Sequence, residues 1–159
     1  MRLQQYLENK ERVVMSKKPI EKLNFPVPQK DRGPYGKPMG LWYGFGSSWI
    51  DWVNLEMTEW KGEYFYHLTI NEGKIIQLHS YLDLAAFTEK WYDSGKYSIN
   101  QLNHAAIRWD DVAKKYSGIE INPYIWKARY EFDWYYGWDV ASGCIWKEDG
   151  IKSFERIEV

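Results

Sequence analysis

Two hydrophobic periodicities run through this chain. Apolar residues alternate with polar ones, as in half-buried strands, in several short runs. Arg12–Ser16 (RVVMS) is one such run, and residues 40–46 (GLWYGFG) form an aromatic strand with glycine at both ends. Residues 63–70 (EYFYHLTI) and 74–79 (KIIQLH) predict two strands, with 71–73 as the turn between them. Residues 118–121 (GIEI) predict a short strand stopped by Pro123. Residues 143–146 and 151–157 read as two closing strands joined by a turn at 148–150.

Helical spacing appears between these runs. Ser48 stands three residues before Asp51, a capping-box pattern, and Trp49, Trp52 and Val53 then share one face, which predicts core. Ser80 and Asp83 repeat the pattern ahead of Leu84, Phe87, Thr88 and Trp91. Asp110 is placed to cap a short helix over 111–116. Residues 1–11 read either as a short helix or as a frayed terminus. Residues 94–104 read as a loop, and 131–141 carry no clear periodicity. Residues 19–38 hold five of the six prolines and must be an irregular connection, long enough to suggest a functional loop. Strands and short helices alternate irregularly, which favours one α+β domain over 1–159, not a doubly wound parallel sheet.

Composition narrows the function classes. A length of 159 residues suits one domain with its own core. The net charge of −1 offers no footprint for duplex nucleic acid or an anionic membrane, and no apolar run is long enough to span a bilayer. The lone Cys144 excludes an internal disulfide and fits a reducing compartment, so a cytoplasmic location is expected. His67, His79 and His104 lack metal-ligand spacing, and no metal site is expected. Phosphate-cradling GxxxxGK[ST], GxGxxG before a helix, and GxSxG do not occur.

The aromatic content, 18% with 10 Trp and 13 Tyr, exceeds what a core of this size needs. Trp134, Tyr135, Tyr136 and Trp138 are dense enough to suggest a cleft wall or an interface. Trp42 and Tyr43 alternate on their strand, so one should be buried and the other should face a cleft. Glu120 is a lone carboxylate between Ile119 and Ile121. It faces either solvent or a cleft, and in a cleft it becomes a catalytic candidate.

Several strings together resemble a small bacterial and phage family. They are KPMGLWYG at 37–44 with Trp49 and Trp52, YSGIEINP at 116–123, and WYYGWDVASGCIW at 134–146. The closing run 143–157, with IKS at 151–153, resembles the last hairpin of ADP-ribosyltransferase-like domains. The resemblance covers roughly residues 12 to 157. It implies a split, mixed sheet with a nicotinamide cleft between its halves and NAD as a substrate. It also implies transfer to a protein or nucleic-acid target, in a phage setting on a host system.

In such domains a first-strand polar residue holds the adenosine-side ribose or backbone. A second-strand aromatic or hydroxyl residue supports nicotinamide, and a late-strand glutamate bonds the nicotinamide-side ribose. Carried over, these roles fall on Arg12, Tyr43 and Glu120. Ser16, Trp42, Tyr43, Gly44, Trp134, Tyr136 and Trp138 form the expected cofactor-binding set. The chain departs from the family at the first motif, where Val14-Met15-Ser16 stands for His-Tyr-Ser. Either Arg12, on the same strand face as Val14, takes that role, or the cleft binds a nucleotide without turning it over.

Two other classes stay open. One is a non-catalytic module stacking saccharides or unpaired bases on exposed aromatics. The other is an interaction protein, such as an inhibitor of a host system, using Trp and Tyr as interface anchors.

Overall fold

The computed structural model describes residues 2–159. Its strands are β1 (Arg12–Ser16), β2 (Leu41–Phe45), β3 (Tyr64–Ile70), β4 (Ile75–Leu78), β5 (Gly118–Ile121), β6 (Ser142–Ile145) and β7 (Ile151–Arg156). They form one mixed sheet in the order β4-β5-β6-β2-β1-β3-β7. Only β4 and β5 run parallel; the other neighbours are antiparallel.

This order corrects two expectations. β3 and β4 do not pair as a hairpin, because β4 is at one edge beside β5 and β3 pairs with β1 and β7. Likewise β6 and β7 lie apart, β6 between β5 and β2 and β7 at the opposite edge. Short links nevertheless join each pair, 71–74 and 146–150. Four or five residues cannot cross several strand spacings of about 4.8 Å over a flat sheet. The sheet therefore curls. Ile70, Ile75 and Ile145 meet in one apolar cluster with Ile151 packed against it. The Asn71 N–H donates to the Gly150 carbonyl at 2.9 Å, tying the two links together.

The two sheet faces are different. The outer face carries Leu78, Ile119, Ile121 and Cys144 and is covered by helices. These are α3 (Tyr81–Trp91), α4 (Trp109–Lys115), α5 (Trp126–Arg129) and α6 (Asp133–Tyr136), following α1 (Leu3–Glu8) and α2 (Ser48–Glu56). Ser80 is the N-cap of α3, its hydroxyl accepting from the Asp83 N–H at 3.1 Å. The α2 start differs from its expected cap by one residue. Ser47 is the N-cap, and the Ser48 hydroxyl instead bonds the Ala141 carbonyl at 2.9 Å, anchoring α2 to the β6 approach. At α4 the N-cap is Arg108, two residues before the expected Asp110. Residues 99–104 form 3-10 turns inside the expected loop, and the unassigned stretch 131–141 contains α6.

The connection 19–38 is irregular but pinned. The Val27 N–H donates to the Trp146 carbonyl at 2.8 Å, and the Trp109 indole donates to the Gly36 carbonyl at 3.0 Å. Gln29 bonds both the N–H and the carbonyl of Met39.

The inner face holds Val14, Tyr43, Tyr66 and Leu68 with the isoleucines. Gly143 has a specific part there. It pairs with Tyr43 on one side and Glu120 on the other, and a Cβ at 143 would overlap the Tyr43 ring. The bare backbone lets the phenol lie across β6 toward β5. Gly143→Ala should therefore cost about 1–3 kcal/mol by overpacking. Urea denaturation checks this; a variant as stable as the parent would show that the ring is not confined.

Candidate functional site

Glu120 stands on β5 between two outward isoleucines, so the strand alternation turns it to the inner face. Because the sheet curls, that face is interior, and Glu120 is only 2% exposed. A lone buried carboxylate would be costly. Here all its lone pairs are used. Oε1 accepts from Arg12 Nε at 2.8 Å and from the Tyr43 hydroxyl at 2.7 Å. Oε2 accepts from Arg12 Nη2 at 2.9 Å and from Gln77 Nε2 at 2.9 Å. The Arg12 contact is bidentate, the strongest common geometry for this pair.

Register explains the assembly. Gln77 pairs with Glu120, Glu120 with Gly143, and Gly143 with Tyr43, all on one face. Arg12 pairs with Phe45, two residues along β2 from Tyr43, and its guanidinium also lies 5.3 Å from the Phe45 ring centroid. Three candidates from remote parts of the chain, Arg12, Tyr43 and Glu120, are thus one hydrogen-bonded group. Gln77 is a fourth member that the sequence reading missed. The signal was a glutamine inside the apolar run KIIQLH.

The charges respond to this packing. Burial alone would push the Glu120 carboxyl up, but hydrogen bonds from Arg12, Gln77 and Tyr43 outweigh it and hold the carboxyl below its usual range. The Glu120 hydrogen bond raises Arg12 against the opposing effect of burial. Tyr43 is raised well above an ordinary phenol by burial and by the neighbouring carboxylate, so it stays a donor.

A cleft opens beside this group. β1 and β2 pair only at Arg12–Phe45 and Val13–Gly44. Past that point β1 continues with β3 to Ser16–Tyr64, and β2 continues with β6 to Leu41–Ile145. The split between them is a mostly apolar cleft of about 480 Å³. Val14, Met15, Ser16 and Ile20 form one wall and Gly40 to Tyr43 the other. Lys37, Trp49, Trp60, Trp138, Asp139, Val140 and Ser142 complete it. That size accommodates a small-molecule ligand.

The remaining candidates divide. Ser16, Trp42, Tyr43 and Trp138 border the cleft. Tyr43 is the buried one of the pair, at 2% exposed, and Trp42 is only partly buried, as alternation predicts; both nevertheless border the cleft, because a strand at the edge of a split shows it both faces. Gly44 is outside it, and its place is explained by packing, since a Cβ there would come within 2.8 Å of the Trp49 Cβ. Trp134 is fully buried behind the sheet and donates to Thr88 Oγ1 at 2.9 Å, so it is core and not a cleft wall. Tyr135 is buried beside it, and Tyr136 is exposed near Tyr35 and Tyr130, away from the cleft. Trp49 and Trp52, expected in the core, are only partly buried; they stack at 5.2 Å and meet Trp60. Neither Arg12 nor Glu120 lines the cleft, and Tyr43 is the residue common to both cleft and carboxylate.

Among the described residues no three His, Cys, Asp or Glu side chains gather as a metal site. His67, His79 and His104 bond Glu11, the Asn122 carbonyl and Asp133 respectively, and none of them bonds Glu120. Cys144 is buried, and burial pushes its thiol well above the usual range, which keeps it unreactive. Among the described residues no helix is long and apolar enough to cross a membrane. Against family models, curated proteins and solved structures, the chain has no match.

The network makes a pH prediction. Glu120 has a lower pKa folded than unfolded, so its stabilisation is complete above about pH 5 and is lost as pH falls through the folded value. Glu120→Gln strands the Arg12 charge and should cost about 3–5 kcal/mol near neutral pH. As pH falls below the carboxyl value of the unfolded chain, about 4.3, the gap to the parent should narrow, because the unfolded parent takes up a proton at Glu120 that the folded parent accepts only at lower pH. Denaturation midpoints across pH measure this; a gap that stays constant down to pH 3 would contradict it.

Proposed function

We propose that the protein binds NAD in the cleft between β1 and β2 and transfers its ADP-ribose to a macromolecular acceptor, protein or nucleic acid. The observation that carries this reading is the convergence of Arg12, Tyr43 and Glu120 beside the cleft. Each comes from a different strand, and each was a candidate on sequence resemblance alone.

The chemistry suits the group. In the reaction the bond between nicotinamide and ribose C1 breaks, and its electron pair leaves with nicotinamide. Positive charge develops on the ribose and is stabilised by the Glu120 carboxylate, which its depressed pKa keeps ionised. An acceptor atom then gives an electron pair to C1 and releases its proton to solvent. The apolar walls, Val14, Ile20, Trp42 and Trp138 among them, limit the water that would compete. Tyr43 touches both cleft and carboxylate, so a ribose hydroxyl reaches Glu120 by taking the place of the phenol O–H.

One observation favours a second reading, a binding module without turnover. Glu120 is saturated by four hydrogen bonds and does not border the cleft. On that reading the partly exposed Trp49, Trp52 and Trp60 are the working surface, stacking a sugar ring.

The two readings separate by experiment. With labelled NAD and cell lysate, the first expects a labelled product or free nicotinamide. It further expects Glu120→Gln to lower the rate about a hundredfold or more, the scale of losing one charge-stabilising group. Tyr43→Phe, which keeps the ring, should retain the fold and lower the rate less. No product and no nicotinamide from the parent protein, with a heat shift from saccharides and none from NAD, would establish the second reading instead.

A further inference from the structure

β4 has a partner on one side only. It ends the sheet, and among the described strands β5 is its sole neighbour. The Asn122 N–H donates to the Leu78 carbonyl at 3.1 Å, so the even-numbered residues of β4 turn their peptide groups toward β5. Peptide groups alternate in direction along a strand, so the N–H and carbonyl of Gln77 point to the open side. The opposite edge of the sheet is guarded. Three of the six residues of β7 are charged, Lys152, Glu155 and Arg156, and such charges discourage pairing with another chain. β4 (IIQL) carries neither a charge nor a proline.

A groove of about 260 Å³ runs beside this open edge, between β4 and α3. Ile76, Phe87 and Trp91 give it apolar walls. Asp83, Ala86, Phe87 and Lys90 line it at helical spacing, as one face of α3. Ala86 is exposed, and its small side chain leaves the groove open. The two charged residues mark its ends. The His79 N–H donates to Asp83 Oδ2 at 2.9 Å, which holds Asp83 where β4 finishes. The link 79–80 is short and both charges line the groove, so α3 runs back along β4. Lys90 then lies toward the start of β4, about 10 Å from Asp83 along the helix axis. Among the described residues neither has an ion-pair partner.

We propose that this edge docks an extended peptide of another protein, which adds to β4 as a further antiparallel strand. Its backbone takes up the N–H and carbonyl of Gln77, and its alternate apolar side chains lie on Ile76, Phe87 and Trp91. Antiparallel pairing is the more stable per residue, and the charges at the two ends of the groove fix the sequence that fits. The peptide carries a basic residue that faces Asp83. An acidic residue about four positions later, on the same face of its strand, faces Lys90. The inference goes beyond the nucleotide reading and does not rest on it. The Gln77 side chain serves Glu120 on the inner face, while its peptide group serves the edge. Peptide binding therefore stands or falls separately from NAD binding.

Selection from a displayed library of random peptides about ten residues long, then calorimetry with the synthetic winner, tests the edge. The winner should have alternating apolar residues in the basic-then-acidic order. Ala86→Gln, an exposed change to another helix former, fills the groove and should weaken that peptide about tenfold or more. Lys90→Glu should weaken it about threefold or more, and a peptide with lysine in place of its acidic residue should recover the loss. Binding should also slow hydrogen exchange at the Gln77 amide. If Ala86→Gln does not fold, the charge reversal and the exchange measurement decide. No selected peptide, unchanged affinity in Ala86→Gln, or an unprotected Gln77 amide overturns the proposal. Self-association of the parent that Ala86→Gln abolishes would give the edge to a second copy of this chain and overturn it as well.

Discussion

The ion pair between Arg12 and Glu120 is the contact on which the rest of this structure depends. Two strands, β6 and β2, separate their parent strands. Three strand spacings on a flat sheet come to about 14 Å, too far for these side chains to meet at hydrogen-bond distance. The bidentate contact is possible because the sheet curls, and it in turn ties the β4-β5-β6-β2 half to the β1-β3-β7 half. Tyr43 and Gln77 fill the remaining lone pairs, and Gly143 leaves room for the phenol. Removing any donor leaves a buried charge underpaired, so the group acts as a unit.

The cleft is a consequence of the same arrangement. The two halves are joined at Arg12–Phe45 and Val13–Gly44 and separate beyond. At the joined end sits the saturated carboxylate, and beyond it the cleft opens. Tyr43 stands between them, touching both. Any group that is to reach Glu120 must displace one of the hydrogen bonds it already accepts.

Local features were legible in the sequence. The span of β1, the extent of β5, the Ser80 cap and the opposite facing of Glu120 and its isoleucine neighbours all follow from alternation and capping rules. Strand partners were not legible. Residues 71–73 look like a hairpin turn, yet they bridge strands near opposite edges, because a curled sheet brings distant edges within a short link. The aromatic assignments failed for a related reason. Spacing groups Trp49 with Trp52 and Trp134 with Trp138, but burial depends on what lies opposite: helices and the sheet cover Trp134, while Trp52 meets only other indoles among the aromatic rings. Arg12, Tyr43 and Glu120 were legible as residues through resemblance, but their mutual bonding was not.

The central claim is that Arg12 and Glu120 act together across the curled sheet. A double-mutant cycle with Arg12→Gln, Glu120→Gln and the double variant, read by urea denaturation near neutral pH, measures that directly. The account predicts strong coupling, with the double variant about 2 kcal/mol or more better than the sum of the single losses, because each single change strands the other group. Additive losses, within about 0.5 kcal/mol, would mean that the pair does not hold the two halves together.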